Sequence, residues 1–258
     1  MKTIKEIIGY REMIASLVRR DLRGRYKGSV LGFLWTFLNP LLQLGVYTIV
    51  FSKIMRNGIE DYYLFLFVAL IPWMFFSTSV ANGCGAVTTQ SGMVKKIYFP
   101  RQILPIELVT SQFVNMLFSM LVVFLILILS GKGLSLKPLM FLPVIMLIEY
   151  FLALGMALLV SSLTVYFRDL EYLMSVLILA WQFLTPVLYS IEMVPENMKT
   201  FFYINPMTSI IIAYRDILYY KRVPEMNTLI LAVVVATVFM VLGWNVFSRL
   251  QKRFAEYL

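Results

Sequence analysis

Long apolar runs separated by short polar breaks dominate the chain. Six stretches, near residues 30–53, 62–84, 104–129, 138–164, 171–190 and 228–248, are apolar nearly throughout. Each is close to the ~20 residues with which an α-helix crosses a hydrocarbon core of about 30 Å. The breaks fall where charge is too costly to leave in lipid: Arg56-Asn57-Gly58 with Glu60-Asp61, Gly131-Lys132-Gly133, and Arg168-Asp169 with Glu171. The beginning of the chain, about residues 3–26, has another period. Ile4, Ile7, Ile8, Ile14, Val18 and Leu22 fall near one face at helical spacing, interrupted by Arg11, while Lys5, Arg19, Arg20 and Arg23 lie elsewhere. That pattern predicts an amphipathic helix lying in the membrane interface. Between 191 and 227, Phe201-Phe202-Tyr203-Ile204 and the run Met207 to Tyr220 are apolar but too short to cross, and Asn205-Pro206 disfavours one continuous helix. Two short re-entrant helices are predicted there.

Composition agrees with an all-α integral membrane protein of one domain: of 258 residues, 60% are hydrophobic and 14% charged. The net charge of +9 does not point to nucleic acid, because the basic residues sit beside the apolar runs. With both termini inside, 15 of the 23 lysines and arginines fall on the cytoplasmic side, as the positive-inside bias requires. The expected order is an interface helix over 1–28, five crossings over 30–190 with a cytoplasmic loop at 93–101, re-entrant helices over 191–227, a sixth crossing at 228–248 and a cytoplasmic tail over 249–258. The long basic start, without a short apolar core and cleavage site, does not read as a cleavable signal peptide. Cys84 is the single cysteine and reads as a packing residue. The chain has no histidine and no G-x-x-x-x-G-K-[ST] loop. A Ser-His-Asp triad, an H-E-x-x-H zinc site and a P-loop ATPase are thereby excluded, so energy must come from a partner or a gradient.

Candidate chemistry is sparse. Glu107 and Glu149 are acidic residues within the crossings; Glu149 reads as a carboxylate bonded to a neighbouring helix rather than a transport group. Trp35, Tyr47, Phe51, Trp73, Trp181 and Tyr189 suit interfacial anchoring and packing, with a sugar-lined conduit as the alternative. The loop Met93-Val94-Lys95-Lys96-Ile97-Tyr98-Phe99-Pro100-Arg101 is basic, aromatic and stopped by proline. It is either a surface segment held by anionic lipid or a knob that inserts into a soluble partner.

A series of motifs resembles the permease subunit of type-2 ABC exporters of polysaccharides, the family of O-antigen, capsule and teichoic acid translocators. They are Arg20-Asp21-Leu22 through Arg25-Tyr26-Lys27-Gly28-Ser29 to Leu31-Gly32 and Trp35, then Asn39-Pro40, Lys95-Lys96 to Phe99-Pro100-Arg101, and Phe167-Arg168-Asp169-Leu170-Glu171. Thr185-Pro186-Val187-Leu188-Tyr189, Pro195-Glu196, Asn205-Pro206, Tyr214-Arg215-Asp216 and Arg253-Phe254-Ala255-Glu256 complete the series, nearly end to end. The resemblance implies a homodimer that encloses a channel in the bacterial cytoplasmic membrane, driven by two copies of a cytoplasmic ATPase that bind the ATP and Mg; this chain itself would hold no cofactor or metal and no catalytic residue. Residues 93–101, with Lys95, Lys96, Tyr98, Phe99, Pro100 and Arg101, would be the coupling helix, with Arg168, Asp169 and the N-terminal helix as further contacts. Asn205, Pro206, Tyr214 and Arg215 would belong to an outer gate, and Trp35, Tyr47, Phe51, Trp181 and Tyr189 would line the path. A polyprenyl-diphosphate-linked polysaccharide would be the cargo. Guanidinium and ammonium groups suit a diphosphate, so Arg23, Arg25 and Lys27 either capture it or only orient the first crossing. An exporter of a drug or lipid is the alternative within the class. A membrane-embedded transferase would need clustered carboxylates with a divalent metal.

Overall fold

The computed structural model describes residues 2–24, 28–56 and 58–258 and is all-helical there. Two amphipathic helices, α1 (Lys2–Gly9) and α2 (Arg11–Gly24), replace the single N-terminal helix expected, with the break at Tyr10. Leu17 and Val18 of α2 are buried while Arg19, Arg20 and Arg23 are exposed, so the apolar stripe faces the bundle and the basic one faces away. A short turn leads into α3 (Trp35–Thr48), which widens into a π-helical turn at Ile49–Ile54. Then come α4 (Tyr62–Gly85), α5 (Ser91–Lys96), α6 (Ile103–Leu129), α7 (Leu136–Leu139), α8 (Leu142–Thr164), α9 (Leu170–Leu184), α10 (Glu196–Ile204), α11 (Pro206–Leu218), α12 (Met226–Leu250) and α13 (Phe254–Tyr257). For orientation, the near end of the bundle is the one carrying α1, α2, α5 and the C-terminal tail.

Five helical stretches among the described residues are long and apolar enough to cross a membrane: Gly32–Ile54, Tyr62–Gly85, Ile103–Leu129, Leu136–Thr164 and Met226–Arg253. The expected crossing at 171–190 is shorter as a helix. α9 has 15 residues, about 22 Å at 1.5 Å per residue, and Thr185 leaves it in an extended conformation. The cause is local: Pro186 disfavours the helical region for the residue before it.

The core is built around α4, which packs on α3, α6, α8, α9 and α11. Every residue from Leu64 to Ile71 is at most 2% exposed, the signature of a helix enclosed on all sides. The tightest crossing joins α8 to α12. A Cβ built on Gly155 would stand 2.5 Å from the Met240 nitrogen, and one on Gly243 would stand 2.0 Å from the Gly155 carbonyl oxygen. Only glycine lets these backbones touch, the small-residue device of helix pairs in lipid. α12 otherwise shows an aliphatic outer face, with Ile230, Val233, Val234, Val238, Val241 and Leu242 exposed.

Candidate functional site

At the far end, Asn205 ties the broken end of α9 to the start of α11. Its Oδ1 caps α11 by accepting from the Met207 N–H at 3.0 Å and also accepts from Trp181 Nε1 at 2.9 Å. Its Nδ2 donates to the Leu184 carbonyl at 3.0 Å and to Thr185 Oγ1 at 2.8 Å. Pro206 follows at the first helical position of α11, where its missing N–H costs nothing. One side chain thus serves as helix cap and as splice between two elements.

Arg215 holds the segment that follows. Only 3% exposed, it donates to the carbonyls of Pro186 (2.6 Å), Val187 (2.6 Å) and Tyr189 (3.0 Å), and its Nε reaches that of Phe65 at 3.4 Å. The guanidinium lies 3.6 Å from the centroid of the Phe65 ring. Among the described residues no carboxylate pairs with it, and Asp216 binds Arg222 at 2.7 Å instead. Carbonyl dipoles and an aromatic face therefore compensate this buried cation. Tyr62 adds a hydrogen bond to the Leu188 carbonyl at 2.8 Å. The neighbouring Tyr214, wholly buried, donates to Glu149 Oε2 of α8 at 2.6 Å. Asn205, Arg215 and Tyr214 together fix α11 to α9, α4 and α8.

At the near end the loop 93–101 divides in two. Lys95, Lys96, Ile97 and Tyr98 point outward, with Tyr98 85% exposed, whereas Phe99 and Pro100 are buried. Arg101 donates to the Gln251 carbonyl and lies 5.9 Å from the centroid of the Phe254 ring. Phe254 is buried between Phe247 and Tyr166, and Tyr166 donates to the Leu250 carbonyl at 2.9 Å. Burial and the adjacent Tyr257 raise the Tyr166 pKa, so this phenol donates in its neutral form. The tail is thus a structural hub, joining the loop after α5 to the turn after α8. The pattern of charges marks it only as an anchor; the aromatic Phe254 within the basic tail is the one signal of its packing. Arg168 and Asp169 are exposed on the turn after α8.

The five aromatic candidates separate in the same way. Trp35 is 40% exposed at the start of α3, with its Nε1 donating to Ser29 Oγ at 3.1 Å. Tyr47 accepts from Gln182 Nε2 at 3.3 Å, joining α3 to α9. Phe51 stacks on Tyr62, and Trp181 packs edge-on against Phe76. Tyr189 donates to the Phe183 carbonyl at 2.6 Å. Arg23 is exposed at the end of α2; Arg25 and Lys27 lie outside the described residues. Among the described residues no group of three or more acidic or cysteine side chains is placed to hold a metal.

Comparison with known proteins agrees with this architecture. The family model described as ABC-2 type transporter matches residues 12–219. The chain is 34% identical over 258 residues to an O-antigen export system permease protein, RfbA, of Myxococcus xanthus, covering 99% of each chain. It is 31% identical to RfbA of Klebsiella pneumoniae, covering 99% of this chain and 98% of that one. A more distant relative is the polysialic acid transport protein KpsM of Escherichia coli, 21% identical over 209 residues and covering 79% and 80%. The chain is an integral, multi-pass protein of the cytoplasmic membrane, and it belongs to the ABC-2 type transporter family.

Proposed function

We propose that this chain is the permease subunit of an ATP-driven exporter of a lipid-linked polysaccharide of the O-antigen kind. Its similarity to an O-antigen export permease, covering 99% of both chains, carries the reading. Two copies enclose the path, and a separate pair of ATPase subunits binds ATP and Mg and performs the hydrolysis. The near end is cytoplasmic. α9, prolonged by the extended segment after Leu184, completes a sixth crossing, and α10 and α11 form the re-entrant pair.

The faces of α3 and α9 support this assembly. Leu42 and Val46 of α3, Ile49 of the π-helical turn that follows it, and Tyr172, Val176 and Leu179 of α9 are all exposed, and the two helices flank α4 and are joined by Tyr47 and Gln182. A second copy set against these faces would form the conduit, with Trp35, Tyr47, Phe51, Trp181 and Tyr189 along it as low-friction surfaces for sugar rings. Lys95, Lys96 and Tyr98 meet the ATPase, and Arg168 and Asp169 stand beside them. Phe99, Pro100 and Arg101 transmit the push, through Gln251 and Phe254, into α12 and α8. Asn205, Pro206, Tyr214 and Arg215 hold the outer gate. Arg23, Arg25 and Lys27 take the diphosphate.

Reversing the charge of Lys95 and Lys96 together tests the reading. In the complex with its partner ATPase, a lipid-linked glycan should stimulate hydrolysis, and the Lys95→Glu, Lys96→Glu variant should lose assembly or stimulation. Unchanged stimulation would overturn the coupling assignment. Stimulation by drugs or phospholipids alone would replace the polysaccharide reading.

A further inference from the structure

Polar side chains collect in the near half of the bundle, where lipid alone would penalise them. Asn39 of α3, Thr78 and Asn82 of α4, and Gln112 and Asn115 of α6 line one cavity of about 170 Å³, with Trp35 at its rim. α4 is otherwise almost sealed, yet Asn82 is exposed there. The same Asn82 lines a second cavity of about 690 Å³, which reaches α2 and the head of α9 and carries Arg20, Asp21, Glu107 and Glu171. The two cavities therefore share a wall and lead from the near end into the helix bundle.

Their chemistry separates the parts of a lipid-linked glycan. Among the described residues, three carboxylates and one guanidinium line the larger cavity, groups that accept hydrogen bonds from hydroxyl groups and, at Arg20, pair with a phosphate. The smaller cavity offers the amide and hydroxyl side chains of Asn39, Thr78, Asn82, Gln112 and Asn115 and, among the described residues, no charged one. Its volume of about 170 Å³ is close to the ~150 Å³ of a cavity that holds benzene, the scale of one six-membered ring. The indole of Trp35 supplies the flat apolar face that the C–H side of such a ring prefers. A path meant for the diphosphate would be basic, and a path meant for an acyl chain would be apolar.

We propose that the α3–α4–α6 cavity is a sugar subsite that reads the first uncharged sugar of the lipid-linked glycan, apart from any basic site that takes the diphosphate. This inference rests on the polysaccharide reading above and names a specificity-determining site within it. Asn82 and Asn115 hydrogen-bond the ring hydroxyls, and Trp35 closes the mouth.

The test uses full-length protein with its ATPase in lipid nanodiscs, in a Cys84→Ser background with Ala81→Cys as reporter in the wall of the larger cavity. Polyprenyl-diphosphate-linked N-acetylhexosamine should slow labelling by a water-soluble maleimide roughly tenfold, while bare polyprenyl diphosphate changes it less than about twofold. Adding Asn82→Leu and Asn115→Leu should abolish the difference. Thr78 Oγ1 donates to the Met74 carbonyl at 2.6 Å and can still accept one bond from a ring hydroxyl, so Thr78→Val, nearly isosteric and less disturbing to the fold, should reduce it by roughly threefold to tenfold, the range of one lost hydrogen bond. Equal protection by both lipids, or full discrimination in the folded Thr78→Val variant together with the double leucine variant, would overturn the subsite. Failure of the lipid-linked glycan to stimulate ATP hydrolysis by the unsubstituted complex would instead remove the export reading on which it rests.

Discussion

Single side chains do several tasks at the far end, so their replacement has more than additive cost. Asn205→Ala removes a helix cap and strands the Trp181 indole N–H, a combined loss of about 2–4 kcal/mol. Asn205→Asp keeps both acceptor bonds and loses the two donor bonds, so its melting temperature should fall between those of wild type and Asn205→Ala. Tryptophan fluorescence during heating measures both; an alanine variant as stable as wild type would refute the splice. Arg215→Lys keeps the charge but cannot spread its donors over four carbonyls. It should cost about 2 kcal/mol or more, read in the same melting experiment. The sequence marks Asn205 as part of a helix break before Pro206, and its tie to a gate, like that of Arg215, only through a family resemblance. Apart from the Met207 N–H that Asn205 caps, their partners lie 20 to 150 positions away, beyond what spacing on one helix can reveal.

Among the elements, the long apolar runs were legible because a membrane imposes a minimum length on any helix that crosses it. The ends were less so. Tyr10 divides the N-terminal helix although the apolar spacing continues past it, and α9 stops at Leu184 although the apolar run goes on to Tyr189. Hydropathy reports solubility in lipid, whereas Pro186 acts on backbone angles. The contact between α8 and α12 is likewise invisible to periodicity, since glycine leaves no apolar mark. Gly155→Ala should force these helices apart and cost about 1–3 kcal/mol, visible as a lower melting temperature. Gly92→Ala, in α5 with nothing within 4 Å of the added carbon, should leave stability unchanged or slightly raised; equal losses in the two variants would show that the close approach is not the cause.

Across the whole molecule, α3, α6, α8, α9 and α12 all present apolar residues outward, and lipid or a second copy can cover each. Assembly through α3 and α9 predicts that Val46→Trp and Val176→Trp each weaken self-association roughly tenfold in a dilution series within nanodiscs or detergent. Val238→Trp, on the aliphatic face of α12, should leave it unchanged. All three positions are more than half exposed in the single chain, so exposure itself does not distinguish them. A uniform response of the three variants would remove α3 and α9 as the dimer face.

The enclosure of α4 bears on how the protein tolerates change. Lipid tails are as apolar as leucine, so a helix already inside the bilayer gains little from solvent exclusion when its neighbours surround it. Its place is held by dispersion and shape. Exchanges that keep hydrophobicity and alter contour, such as Leu66→Ile or Ala69→Val, should therefore disturb the bundle more than the same exchanges on α12. An index of apolarity will rank tolerated variants on the outer helix and fail on the inner one.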